Sequence, residues 1–273
     1  MVPSKPFIKD CYGVSPVVGI IILFGIVVIM AAIVASQVLP IITPDEHYER
    51  FEDILAGEVE QDKIFPSGLV SRWSFNGDFK DSVGSNHGSP LDYDKVSFVS
   101  AGRFGQAAEF EGTADSRVIV PSSDSLNITE EITVLAYVRW NDKSDLRFSG
   151  IIDKSDCDQP NYRLHHNDHN QNFQFAVRTS SRRFTNSQTS PTVGKWYQVA
   201  GVYDGQNVII YVNGEKGGSS GLTGQLQTYN EPLYIGGYPF SINRHFKGEI
   251  AEVQIYNRAL SSAEIRFIDS QFK

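Results

Sequence analysis

The sequence predicts an antiparallel all-β sandwich of jelly-roll type, preceded by one membrane-crossing helix. Three observations carry this expectation. Val14–Leu39 is an uncharged apolar run of 26 residues, and a helix needs about 20 such residues to cross a bilayer core. From Leu69 onward the pattern becomes short alternating stretches rich in Val, Ile, Tyr, Phe and Trp, the side chains that fit a pleated, half-buried surface. Asn76-Gly77, Asp204-Gly205 and Asn213-Gly214 punctuate those stretches, and such pairs tolerate the positive φ of a tight hairpin.

At 273 residues and 41% hydrophobic content, the chain can fill one good-sized domain beyond the apolar helix. A net charge of −8 argues against nucleic acid as a partner, because phosphate binding needs a basic face. Of the two cysteines, Cys11 precedes the apolar run, so without that leader Cys157 has no internal disulfide partner.

Residues 1–13 form a polar leader carrying Lys5 and Lys9. Acidic residues dominate after the apolar run: Asp45, Glu46, Glu49, Glu52, Asp53, Glu58, Glu60 and Asp62, against Arg50 and Lys63. Positive charge stays cytoplasmic, so the N-terminus is expected inside and the rest outside, at the cell surface. The run exceeds the apolar region of about 7–15 residues in a secretory signal, although Val34-Ala35-Ser36 offers small residues at signal-peptidase spacing. Ala31/Ala35 and Ala32/Ser36 form small-xxx-small pairs, which let membrane helices approach closely.

Gly13-Val14-Ser15-Pro16-Val17-Val18-Gly19, followed by Ile/Val/Ala-rich sequence, resembles the N-terminus of archaeal type IV pilins. The resemblance implies cleavage by a prepilin peptidase between Gly13 and Val14. The helix over 14–39 would be retained, first in the membrane and then against other pilin subunits in a filament core. Val18 stands at the fifth mature position, where many type IV pilins carry Glu.

Residues 40–68 read as a helical stalk and linker. Pro40 interrupts the apolar helix. Thr43-Pro44-Asp45-Glu46 supplies a cap, a first-turn proline and a capping-box acid, and Tyr48, Phe51, Leu55 and Val59 make one apolar stripe. Gln61–Gly68, with Pro66, reads as linker.

Residues 69–273 form the β domain. Strands are expected at Leu69–Phe75, Arg117–Val120, Ile132–Trp140, Tyr162–His166, Phe173–Val177, Trp196–Tyr203, Val208–Val212, Leu233–Ile235 and Ile250–Tyr256. Ser261-Ser262-Ala263-Glu264 is a capping box that starts a short terminal helix. Asn127-Ile128-Thr129 matches the glycosylation acceptor pattern.

The order of phrases in this region resembles laminin-G-like, concanavalin A-like jelly rolls. The phrases are Leu69–Phe75, Asp81-Ser82-Val83-Gly84-Ser85-Asn86-His87-Gly88, Gly105-Gln106-Ala107-Ala108-Glu109-Phe110, 196–205, Tyr211-Val212-Asn213-Gly214 and 248–261. That fold hosts lectins, adhesion modules and glycosidases alike. The resemblance implies ligand binding on a concave sheet face or at the rim loops.

Glycoside hydrolysis needs two carboxylates across the scissile bond. Glucanases of this fold place them in Glu-x-Asp-x-x-Glu, which does not occur here; Glu249 and Glu252 have a different spacing. A non-enzymatic role is therefore expected. Asp153, Asp156, Cys157, Asp158, His165, His166, Asp168 and His169 cluster in sequence like transition-metal ligands. Adjacent His165 and His166 would point to opposite faces of a strand, which favours a structural role.

Calcium is the one cofactor the resemblance implies, held between the Asp81–Gly88 loop and an Asp on the final strand. Here Ala251 stands in place of that Asp, leaving Asp81, Asn86 and Glu252 as expected ligands. For glycans, Asp153, Lys154, Tyr162 and Arg163 are the candidates. Tyr162 would stack on a sugar while Asp153 and Arg163 hydrogen-bond its hydroxyls.

These features predict a type IV pilus-like filament subunit displaying a lectin-like adhesion domain. Its partners would be pilin subunits, the membrane, a prepilin peptidase and glycans. A membrane-anchored sugar-binding protein that does not polymerise is the rival expectation, and an extracellular glycan-active enzyme the third.

Overall fold

The computed structural model describes residues 64–141, 149–157, 159–167, 169–238 and 244–272. The expected leader, apolar helix and stalk up to residue 63 lie outside the described residues, as do Asp158 and Asp168. Among the described residues no helix is long and apolar enough to cross a membrane. They belong to the compact unit Ile64–Lys273.

Among the described residues fifteen strands build it. They are β1 (Leu69–Trp73), β2 (Ser89–Pro90), β3 (Val96–Ser100), β4 (Gln106–Glu111), β5 (Val118–Val120), β6 (Ile132–Trp140), β7 (Gly150–Asp156) and β8 (Gln159–Asn167). Then follow β9 (Asn172–Arg178), β10 (Arg182–Asn186), β11 (Trp196–Tyr203), β12 (Asn207–Val212), β13 (Glu215–Gly221), β14 (Leu233–Ile235) and β15 (Lys247–Tyr256), with one helix, α1 (Ser262–Ser270), after them.

Two antiparallel sheets result. One has seven strands in the order β10-β9-β8-β7-β14-β5-β2. The other has eight, β13-β12-β11-β6-β15-β4-β3, with β1 beside β15. Period-two alternation explains the sandwich, because every second residue of a strand faces the same side. Val134, Ala136, Val138 and Trp140 of β6 meet Tyr162 and Leu164 of β8 and Phe173, Phe175 and Val177 of β9 in a single core. The intervening residues of β6, Leu135 and Tyr137, point the other way into a second apolar cluster. There Ile265 and Ile268 of α1, with Leu260 and Phe272, cover the outer face of the eight-stranded sheet.

The capping box read from sequence is formed: the Ser261 hydroxyl accepts the Glu264 N–H, and the Glu264 carboxylate accepts the Ser261 N–H at 2.8 Å. Asn213 and Gly214, at φ 52° and 78°, turn β12 directly into β13, as a two-residue hairpin requires. That turn explains why Glu-Lys-Gly-Gly-Ser-Ser-Gly forms a strand against its poor propensity: β12 offers a ladder immediately alongside. Residues 64–68 are joined to the domain instead of forming linker. Phe65 packs on the second cluster, the Gly68 carbonyl accepts the Asn257 N–H at 3.0 Å, and the Gln271 amide donates to the Ile64 carbonyl.

β15 is bordered by β6 throughout, but its other edge is shared. Lys247–Ile250 pair with β4, and Val253–Tyr256 pair with β1. The hand-over falls at a register shift between Ala251 and Gln254, where Glu252 adopts φ 52°.

Candidate functional site

Ile152, Tyr162 and Leu164 of β7 and β8 face the core, and Asp153, Arg163 and His165, one residue out of phase, fall on the outer face of the seven-stranded sheet. Asp153 and Arg163 are register partners across the β7–β8 ladder, and Tyr234 lies opposite Asp153 on its other side. His165 is two residues along the same face, opposite Gln174 of β9. Beyond β14 a bridge between Gly237 and His245 sets Tyr238 and Arg244 beside the strands, where the Gly150 N–H donates to the Arg244 carbonyl. Gly150, Asp153, Arg163, His165, Tyr238 and Arg244 together line a shallow depression, open to solvent, whose enclosed space is about 10 Å³.

Its polar groups are tightly engaged. Arg163 donates from Nε to Asp153 Oδ2 at 2.5 Å and from Nη2 to the Ser155 hydroxyl at 2.9 Å. The Ser155 hydroxyl donates to Asp153 Oδ1. Two guanidinium groups pack on Tyr238, Arg163 at 4.6 Å and Arg244 at 5.1 Å from its ring centroid. Its hydroxyl donates to the Cys157 carbonyl at 2.8 Å. Burial, reinforced by the charges of Arg163, His166 and Arg244, pushes the His165 pKa down to about 3, so the ring is neutral near pH 7. On the floor, a Cβ on Gly150 would meet the Gly237 backbone at 2.8 Å, so only a bare backbone fits there.

Of the four expected glycan ligands, the structure brings together Asp153 and Arg163 and turns Lys154 and Tyr162 away. Lys154 and Tyr162 are themselves register partners, one residue out of phase, so alternation sends them to the opposite face. Tyr162 is wholly buried and donates its hydroxyl to the Leu126 carbonyl at 3.2 Å; it cannot stack on a sugar. Lys154 donates to the carbonyls of Tyr229 and Glu231 at 3.0 and 2.8 Å, and burial pulls its pKa down to about 8. His166 likewise faces inward, its ring 5.4 Å from Trp140.

Sequence reasoning missed Tyr238 and Arg244, which lie more than 70 residues from Arg163. The available signal was an aromatic residue and an arginine flanking one connection, whose meeting with β7 and β8 depends on sheet order.

The residues expected to hold calcium do not fit it. Asp81 Oδ1 accepts the N–H groups of Arg72, Val83 and Gly84, each at 3.0 Å, and Oδ2 that of Asn86 at 3.1 Å. Burial works to raise the Asp81 pKa, but the backbone bonds outweigh it and hold it below the ordinary carboxylate value. Glu252 receives Arg72 in a two-point pair, 2.8 Å at each oxygen. Asn86 bonds Ser71, Ser123 and Ser125. Arg72 thus supplies the positive charge that a cation would. Among the described residues, no group of three or more His, Cys, Asp or Glu is placed to hold a metal ion.

A second polar group lies on the outer face of the eight-stranded sheet, where Glu249 faces Glu109 across the β15–β4 ladder. Arg139 donates to both Glu249 oxygens at 2.6 and 2.5 Å and stacks on Trp196 at 5.2 Å, and Asn141 donates to Glu109 at 2.9 Å.

A family profile described as the concanavalin A-like lectin/glucanases superfamily matches residues 76–266. A second, described as the archaeal type IV pilin N-terminal segment, matches residues 12–47. Domain 4 of AbnA, a GH43 extracellular arabinanase from Geobacillus stearothermophilus whose structure contains arabinotriose, superposes with a TM-score of 0.58 at 22% identity, over 74% of this chain and 98% of that one. The binding domain of Paraclostridial Mosquitocidal Protein 1 gives 0.60 at 18% identity, over 74% of this chain and 52% of that one. Trypanosoma rangeli sialidase gives 0.54 at 18% identity, over 74% of this chain and 32% of that one. The chain therefore spans about half of the toxin structure and a third of the sialidase, and the likenesses concern the fold. Among curated proteins none matches. Because the first profile spans most of the described domain, the chain belongs to the concanavalin A-like lectin/glucanase superfamily, and it carries an archaeal type IV pilin N-terminal segment ahead of that domain.

Proposed function

We propose that the protein is a surface-displayed glycan-binding subunit of a type IV pilus-like filament. Prepilin peptidase cleaves it between Gly13 and Val14, and the retained helix over 14–39 holds it in the membrane and then against neighbouring subunits. The jelly roll is the outward-facing part. The observation that carries the binding role is the depression on the seven-stranded sheet, where buried Asp153, Arg163 and His165 meet Tyr238 and Arg244. Convergent polar groups in a concave site fix a ligand's orientation. A buried ion pair is weak evidence for stability alone, since apolar replacements are often neutral.

The same geometry supports binding without turnover. Hydrolysis of a glycosidic bond needs an acid and a second carboxylate on either side of it. Among the described residues the lining contains one carboxylate, Asp153, and it is paired with Arg163. The facing carboxylates Glu109 and Glu249 are also engaged, Glu249 by Arg139 at both oxygens. Val18, in place of the Glu that aids subunit docking in many pilins, favours a second reading in which the protein stays anchored and does not polymerise.

The test is a glycan-array screen of the full-length protein in detergent beside Arg163→Lys and His165→Asn, each checked for folding by circular dichroism. Wild type should retain glycans intact and both variants should lose them. Unchanged binding in both variants removes the depression from the proposal, and release of cleaved sugar removes the non-enzymatic role. Sheared surface filaments should contain the chain beginning at Val14. Finding Gln37 at the N-terminus instead would show a conventional signal peptide.

A further inference from the structure

We propose that Asn127 carries an N-linked glycan on its carboxamide nitrogen; this rests on display of the domain outside the cell and adds a covalent modification to it. The acceptor pattern needs Asn and, two residues on, Ser or Thr. Asn127-Ile128-Thr129 meets it, and no other asparagine in the chain has Ser or Thr at that distance.

The structure presents this triplet as an acceptor requires. It lies between the short helical turn Asp124–Leu126 and β6, outside both sheets. The Asn127 N–H donates to the Asp124 carbonyl at 3.1 Å, and the Thr129 carbonyl accepts the Leu226 N–H at 2.7 Å. Between them Ile128 is buried in the core and anchors the loop, whereas Thr129 is exposed and Asn127 half-buried. Among the described residues neither the Asn127 nor the Thr129 side chain forms a hydrogen bond. The Asn127 carboxamide turns its oxygen inward, buried and unpartnered, which leaves its nitrogen to solvent. The reverse orientation would strand N–H donors in place of one carbonyl oxygen, and orphaned buried N–H groups are the rarer case.

Attachment exchanges one bond for another. The Nδ2–C1 bond forms as the C1–O bond to a glycan donor carried on a lipid phosphate breaks. The phosphate leaves with the bonding pair, and Nδ2 gives up one proton to a base of the transferring enzyme. The buried Oδ1 keeps its place throughout, so the sugar is added without repacking the loop. The loop stands at the rim where the chain enters the domain: the Glu131 carboxylate accepts the Ala259 N–H at 3.2 Å, and Leu69 pairs with Tyr256 of β15.

The experiment isolates the full-length protein in detergent from cells that produce it and maps the peptide containing Asn127 by mass spectrometry. That peptide should carry a mass increment that fragments by loss of sugar residues. Asn127→Gln and Thr129→Ala should each lose the increment completely, while Thr129→Ser should keep it. Circular dichroism of all three variants should match wild type, since no side-chain hydrogen bond is removed. An increment that survives Thr129→Ala overturns the inference, because the hydroxyl two residues on is then not read. Protease added to intact and to lysed cells separates this inference from the reading it rests on. A domain degraded on intact cells but unmodified at Asn127 overturns the inference and leaves surface display standing. A domain degraded only after lysis overturns both.

Discussion

The outer faces of the two sheets start from the same rule and end differently. On the eight-stranded sheet, the outward residues Leu135, Tyr137, Ala200, Ala251 and Tyr256 are apolar or aromatic, and Leu260, Ile265, Ile268 and Phe272 close over them, with the Glu249–Arg139 group elsewhere on the same face. On the seven-stranded sheet, the outward residues of β7 and β8 include Asp153, Arg163 and His165, and they line an open depression with Tyr238 and Arg244. Apolar outward residues drive a helix onto the sheet because burial removes their surface from water. Polar outward residues give no such drive, and must instead satisfy one another. One face therefore reports stability, and the other is the face proposed for recognition.

The sharpest way to break this contrast is Asp153→Ala. It strands the Arg163 charge, which is 7% exposed, and should cost about 3–5 kcal/mol in urea unfolding. Asp153→Leu with Arg163→Met should recover most of that stability while abolishing glycan binding. If binding survives in the double variant, the pair is architectural and the two faces do not differ in kind.

Ile265→Ala tests the opposite face. Removing part of the cover should cost about 2–5 kcal/mol with ligand affinity unchanged once measured below the melting temperature. A parallel loss of affinity would show that the two faces are coupled.

A graded effect should follow pH. His165 is held near pKa 3 in the fold, against 6.5 ordinarily, so the unfolded chain binds the proton first. Its contribution is present above pH 6.5 and declines as pH falls from there towards 3. His165→Asn should flatten that part of the stability curve. Asp81 adds to acid sensitivity lower down, since its pKa is held below 3.8 and its contribution is lost as pH falls through that range. A wild-type stability that does not change between pH 7 and 5 would contradict a buried neutral His165.

The smallest effect is expected at the cap of α1. Ser261→Ala removes one side of the capping box and should cost about 1 kcal/mol, with no change in binding. Since α1 belongs only to the covered face, an altered glycan profile would blur the distinction.

Much of the scaffold was legible from local chemistry. Ile132–Trp140, Trp196–Tyr203 and Leu233–Ile235 appear with the bounds their alternation predicts, because a strand's apolar period is set by its own residues. The same holds for the turn at Asn213-Gly214 and the Ser261 cap, each a contact within a few residues. β7 and β13 were not legible. Asp-Lys-Ser in β7 and Gly-Gly-Ser-Ser in β13 have poor strand propensity, and only neighbouring strands make them ladders.

The candidate site divides along the same line. Sequence placed Asp153 and Arg163 near each other, but it also placed Lys154 and Tyr162 there, because proximity along the chain does not say which face a side chain takes. A one-residue difference in register reverses that face, and register belongs to the β7–β8 pairing. Tyr238 and Arg244 reach the depression because β14 lies beside β7 in the sheet, an adjacency between segments about 80 residues apart. Arg72 and Glu252 meet across 180 residues where β15 changes its edge partner, which is why a calcium site read from loop residues became an ion pair. Local sequence determined which segments are strands, turns and caps; strand order and register, which are properties of distant contacts, decided which charges meet and which face they occupy.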